Sequence, residues 1–181
     1  VVDSSDIVKS LTAKVRNIPD FPRKGIVFRD ITTLLKDGQA LRQAVSLLAD
    51  RYKDERIDKV VGIESRGFVL GAAVADRLGA GFVPVRKRGK LPGPTRRMEY
   101  ALEYGTDVVE IHVDAIRTGE RVLMHDDLLA TGGTMEAALK LVLELGATIV
   151  GVCFLVELSF LGGRRRLSQH TPYAIIRYDA E

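Results

Sequence analysis

The sequence predicts an α/β fold, a mostly parallel twisted sheet flanked by helices. Two observations carry that expectation. From Lys59 onward, short apolar runs alternate with amphipathic segments: Lys59 to Ile63, Phe68 to Leu78, Gly81 to Val85 and so on to the end of the chain. Alternation of this kind builds parallel sheets covered by helices. In addition, two polar, glycine-bearing stretches each follow a predicted strand and open a predicted helix. They are Glu64-Ser65-Arg66-Gly67 and His125-Asp126-Asp127-Leu128-Leu129-Ala130-Thr131-Gly132-Gly133-Thr134. Open α/β sheets bind their ligands there, beyond the carboxyl ends of the strands.

The elements follow in order. Asp3, Ser4 and Ser5 precede Ile7, Val8, Leu11 and Val15, an amphipathic helix with N-cap candidates. Pro19, Pro22 and Gly25 break the stretch from Asn17 to Asp30 into an irregular loop. Ile26-Val27-Phe28 inside it is apolar, so it either tucks into the core or lines a pocket for a flat ligand. Asp37 opens a helix with Leu41, Ala44, Val45, Leu48 and Tyr52 on one face. After Gly81 to Val85, residues 86–107 form a long connection rich in Gly, Pro and Arg, read as a flexible lid. Val108 to Val113 and Arg121 to Met124 are strands, Met135 to Leu145 a helix, Thr148 to Val156 a strand. Gly162 to Arg166 starts a surface helix, and Tyr173 to Tyr178 is the last strand.

Size and composition bound the reading. With 181 residues and 19.9 kDa the chain is read as one domain, 1–181. A net charge of +3 fits an anionic small substrate as well as nucleic acid. The one cysteine, Cys153, lies in an apolar run and is read as a small buried hydrophobe. It leaves no disulfide framework, and neither a signal segment nor a membrane-length apolar run is visible. The expectation is a cytoplasmic protein with no membrane partner.

The chemistry concentrates at the strand ends. In Ala130-Thr131-Gly132-Gly133-Thr134 the glycines admit close backbone approach, the threonines donate, and the helix N-terminus favours a phosphate. The alternative is a solvated turn that merely caps a helix. Asp126 and Asp127 repel a phosphate but accept from vicinal hydroxyls, which suits a ribose beside it. Glu64 to Gly67 is a second anion site on the same sheet edge. Arg86, Lys87, Arg88, Lys90, Arg96 and Arg97 lack the interleaved aromatics of a single-strand nucleic-acid surface. A lid over a polyanion fits them better, so no nucleic-acid partner is expected. His112, His125 and His170 have no metal-ligand spacing. Neither G-x-G-x-x-G nor G-x-x-x-x-G-K-[ST] occurs.

Val122 to Thr134 resembles the phosphoribosyl-pyrophosphate (PRPP) motif of type I phosphoribosyltransferases. The likeness continues through residues 21–30, 64–68, 86–93, 102–105 and 156–158, in the family's order. The resemblance implies the fold of that family, with a small hood from the N-terminal segment, 1–36. It implies transfer of the 5-phosphoribosyl group of PRPP to adenine, giving AMP and pyrophosphate. Mg²⁺ would be held mainly through PRPP and water, with no protein metal site, and the family's members are dimers. Carried over by position, Ala130 to Thr134 hold the 5′-phosphate, and Asp126 and Asp127 hold the ribose. Glu64, Ser65, Arg66, Arg86, Lys87 and Lys90 face the pyrophosphate. Val27, Phe28, Arg29 and Leu158 face adenine, while Glu103 and Arg66 are catalytic. Many purine members carry an acid–base Asp where this chain has Ala130, which moves that task to Glu103. His125 stands where the family has an apolar residue.

Overall fold

A computed structural model describes residues 4–101 and 105–181. The chain begins with helix α1 (Ser4–Ala13) and the paired strands β1 (Arg16–Ile18) and β2 (Phe28–Asp30). The short α2 (Thr32–Leu35) and the longer α3 (Gly38–Asp50) follow. The main body contains β3 (Lys59–Ile63), α4 (Arg66–Leu78), β4 (Gly81–Lys87), β5 (Thr95–Ala101), β6 (Thr106–His112), β7 (Arg121–Leu129), α5 (Gly133–Glu144), β8 (Thr148–Leu158), α6 (Gly163–Arg166) and β9 (Tyr173–Tyr178).

Seven strands form one sheet in the order β5-β6-β4-β3-β7-β8-β9. The five from β4 to β9 run parallel, and β6 and β5 add an antiparallel edge. Alternation along each parallel strand divides the core into two layers. Val60, Leu123, Cys153 and Leu155 face the side covered by α1, α3 and α4. Val61, Ile63, Met124, Val152 and Phe154 face the side covered by α5. The helix read from Asp37 begins there. The Asp37 carboxylate accepts from the backbone N–H of Gln39 and Ala40, each at 3.0 Å.

The stretch from Asn17 to Asp30, read as an irregular loop, begins and ends in the paired strands β1 and β2. Two further expectations need correction. Residues 86–107, read as a structureless connection, contain β5, paired residue for residue with β6 from Thr95↔His112 to Ala101↔Thr106. The strand hides in sequence because it is a charged edge: Arg96, Arg97 and Glu99 are exposed, and only Tyr100 is buried. Arg97 Nε lies 2.7 Å from Oε1 of the buried Glu110 on β6, so basic residues read as a lid also fasten a hairpin. The second correction concerns β7, which runs to Leu129 rather than ending at Met124. Asp126 and Asp127 are thus strand residues, positioned by the ladder with β8, where Asp126 pairs with Phe154.

His125, just before them, is fully buried, and its Nε2 has no hydrogen-bond partner. Its Nδ1 lies 3.5 Å from Cys153 Sγ. Burial holds its pKa at about 4, below the ordinary 6.5. The unfolded chain therefore takes up a proton near pH 6.5 that the folded chain refuses until about pH 4. Stability attributable to His125 is complete above pH 6.5 and falls as the pH drops through this window, by on the order of 3 kcal/mol in all. His125→Leu removes both the titration and the unpaired nitrogen. Denaturant midpoints measured from pH 7 to pH 5 should fall less for the variant than for the parent; parallel curves would contradict the assignment.

Candidate active site

The carboxyl ends of β3, β4, β7 and β8 converge on one edge of the sheet, and the residues singled out in the sequence meet there. The loop from Ala130 to Thr134 leaves β7 and enters α5 through Gly132, whose φ of 82° is in the left-handed region. A concave site is lined by this loop together with Asp126, Leu128 and Phe154. The backbone N–H groups of the first turn of α5 have no intrahelical partners, a donor set that suits an anion.

The loop is backed by a residue that the sequence reading passed over. A Cβ on Gly163 would lie 2.3 Å from Ala130 O and 3.0 Å from the Thr131 carbonyl carbon. One on Gly132 would lie 3.0 Å from Gly163 O. The first turn of α6 and the phosphate loop thus touch backbone to backbone. Gly162-Gly163 was the available signal, but it precedes three arginines and reads as a surface turn.

Beside the loop stand the two aspartates. Asp126 Oδ1 accepts from the Asp127 N–H at 2.8 Å. Burial pushes the Asp126 carboxyl well above the usual range, and the neighbouring Asp127 charge pushes it further. Burial also raises Asp127, against the pull of Arg66. Arg66 Nε is 2.8 Å from Asp127 Oδ2, yet that oxygen accepts no aligned hydrogen bond. It keeps capacity for a ligand hydroxyl.

Arg66 opens α4 directly after Glu64 and Ser65, which are joined by a cis peptide. A Cβ on Gly67 would sit 2.7 Å from Asp126 Oδ1, so only glycine lets α4 start this close to the carboxylates. The Arg66 guanidinium also lies 5.0 Å from the centre of the Phe28 ring on β2. One side chain therefore spans from the N-terminal hood to the end of β7. Phe21 meets the same ring edge-on, with centroids 5.2 Å apart.

Glu64 accepts from Arg86 Nη2 and from the Lys87 N–H, each at 2.9 Å. The Arg86 bond holds the Glu64 carboxyl below its ordinary value. Arg86 Nη1 reaches the Lys90 carbonyl at 3.1 Å, and the Lys90 side chain projects from an exposed turn. Lys87 is committed to the hairpin: its ammonium donates to Asp107 and, at 2.8 Å, to the Tyr100 hydroxyl. Thr134 Oγ1 donates to that same hydroxyl at 3.2 Å, which ties the phosphate loop to β5.

The residues expected at the base divide into two groups. Val27 and Phe28 are half-buried at the start of β2, and Leu158 ends β8 opposite Tyr178 of β9. The Arg29 side chain turns away, so only its backbone is available to a base. β2 pairs only with β1, which leaves the N–H and C=O groups of its other edge outside any ladder among the described residues. Glu103 lies outside the described residues.

Residues 30–175 match the phosphoribosyl transferase domain model. The chain is 59% identical over 164 residues to the adenine phosphoribosyltransferase of Geobacter metallireducens, covering 91% of this chain and 96% of that one. The chain belongs to the adenine phosphoribosyltransferase family. Among solved structures it resembles the family member from Thermoanaerobacter pseudethanolicus, with a TM-score of 0.92 and 48% identity. That match covers 94% of this chain and 99% of that one. It also resembles the Saccharomyces cerevisiae member, solved with an imino-altritol bisphosphate and adenine. There the TM-score is 0.87 and the identity 38%, over 93% of this chain and 97% of that one.

The backbone contact between α6 and the phosphate loop generates a test within this family. Gly163→Ala must displace the loop backbone, because it meets the main-chain atoms Ala130 O and Thr131 C as well as the Leu129 side chain. PRPP affinity by calorimetry should fall at least tenfold, with helix content unchanged by circular dichroism. Unchanged affinity would remove Gly163 from the support of the site.

Proposed function

We propose that the chain transfers the 5-phosphoribosyl group of PRPP to adenine, releasing AMP and pyrophosphate, with the roles set out below. The observation that carries the site assignment is the span of Arg66 from Phe28 to Asp127. It brings an aromatic face, a strand edge, two carboxylates and an anion loop within reach of one ligand.

The loop from Ala130 to Thr134 binds the 5′-phosphate, whose binding energy positions the ribose. Asp126 and Asp127 accept from the two ribose hydroxyls. Adenine lies against Phe28 and Leu158, its 6-amino group and ring nitrogen meeting backbone groups of Val27 to Arg29. A 6-oxopurine reverses that donor and acceptor pattern and leaves buried groups unpaired. Nitrogen N9 attacks the anomeric carbon as the bond to pyrophosphate breaks, so positive charge develops on the ribose while negative charge leaves. The carboxyl oxygens of Asp126 and Asp127 face the first, and Arg66, with Ser65, Lys90 and Arg86 at the neighbouring turn, stabilises the second. Lys87 and Glu64 hold that turn through the bonds described above. Glu103 takes up the proton lost by the base.

Two adjacent carboxylates suit a divalent cation that brings most of its own oxygen ligands. Among the described residues, no three His, Cys, Asp or Glu side chains are grouped to hold a metal. Mg²⁺ held mainly through PRPP and water would fit beside Asp126 and Asp127, and it would supply charge neutralisation to the leaving group. We also assign a homodimer, as in the family resemblance. Cys153, buried and with its thiol pKa raised by burial, suits the reducing cytoplasm. No described helix is long and apolar enough to cross a membrane.

The deciding assay offers adenine, hypoxanthine, guanine and xanthine separately with PRPP and Mg²⁺. AMP from adenine alone is the expected result, and turnover of another base would discard the pocket assigned to Val27, Phe28 and Arg29. Glu103→Gln should lower kcat by about a hundredfold while PRPP affinity holds. Undiminished turnover would take Glu103 out of the mechanism.

A further inference from the structure

Arg29 has two jobs if its backbone meets the base, because its side chain is buried elsewhere. The residue is only 7% exposed, and among the described residues no carboxylate pairs with it. Its guanidinium stacks on the Tyr178 ring, 4.1 Å from the centroid. Nη1 donates to Asn17 Oδ1 at 2.6 Å, and Nη2 to the Ala180 carbonyl at 3.4 Å. A buried cation balanced only by a ring face and two neutral oxygens is costly. A neutral residue would fill the same space at less expense, so the arrangement calls for a purpose beyond packing.

The topology supplies one. β1 and β2 form a separate two-stranded sheet with no ladder to the main one, so side chains must hold the hood in place. Arg29 connects both parts: Asn17 lies on β1, while Tyr178 ends β9 opposite Leu158. Along β2, side chains alternate between faces, so Phe28 and Arg29 point oppositely. Fixing Arg29 on the end of β9 therefore fixes the ring of Phe28, and the free edge of β2, relative to the ribose carboxylates of β7. A planar guanidinium suits this task, since it stacks and donates in fixed directions.

We infer that Arg29 is a positioning residue for the base: its side chain anchors β2 to Tyr178 and so sets where adenine lies relative to the ribose site. This rests on the transferase reading given above. Without the anchor the hood still forms, but the base subsite is misplaced while the phosphate and ribose contacts are not.

The test compares affinities for AMP and PRPP by calorimetry, because only AMP carries the base. Arg29→Met should weaken AMP by about tenfold or more and leave PRPP within about twofold. Tyr178→Phe keeps the stacking face and should match the parent, whereas Tyr178→Ala should reproduce Arg29→Met. The double variant Arg29→Met, Tyr178→Ala should be no worse than either single change, since both remove one contact. Equal losses for AMP and PRPP, or AMP affinity unchanged in the folded variant, would overturn the inference. Should Arg29→Met fail to fold, Asn17→Ala removes one acceptor only, and the same selective loss of AMP affinity is expected. Unchanged AMP affinity there would equally overturn it. Adenine turnover by the parent chain is scored separately. Its absence would fail the transferase reading, whereas the anchor fails only on the affinities.

Discussion

Asp126 and Asp127 place two carboxyl groups side by side at the buried end of β7, and much of the surrounding structure answers that arrangement. Neither group ionises readily there: burial raises both, and the Asp127 charge raises Asp126 further. Arg66 supplies the compensating charge, and the Asp127 N–H supplies a bond to Asp126. Gly67 lets α4 begin close enough for Arg66 to reach. In the proposed arrangement the pair takes the ribose hydroxyls and leaves the phosphate to the loop that follows β7.

The remainder of the site is brought to this edge by fastenings of different kinds. The hairpin of β5 and β6 is joined to the phosphate loop by Tyr100, whose hydroxyl meets Thr134, Lys87 and Asp107. In sequence, the proposed general base Glu103 belongs to the connection between those two strands. The hood is fastened by Arg29 to the opposite side of the sheet. The parallel core contributes rigidity beneath both: its central strands are covered on each face by separate apolar layers.

What the sequence disclosed follows from which signals are local. The strand–helix alternation, the Asp37 cap and the two strand-end loops depend on residues close together in the chain, and the structure has them as expected. β5 was missed because a charged edge strand carries no apolar alternation; it is stabilised by Glu110 and Asp107 on β6, which a linear reading does not connect to it. Gly163 was missed for the same reason, since its neighbour Ala130 lies 33 positions earlier. Arg29 was grouped with the base by position, and only the fold reveals that Tyr178 and Asn17 claim its side chain.

The most direct measurement is a crystal structure with adenine and a PRPP analogue whose anomeric bond cannot break. The account requires ribose hydroxyls on Asp126 and Asp127, the 5′-phosphate on the backbone of Thr131 to Thr134, and the base between Phe28 and Leu158. Arg66 is expected within hydrogen-bonding distance of the pyrophosphate. A ribose bound away from both aspartates, or a base stacked anywhere other than against Phe28, would contradict it.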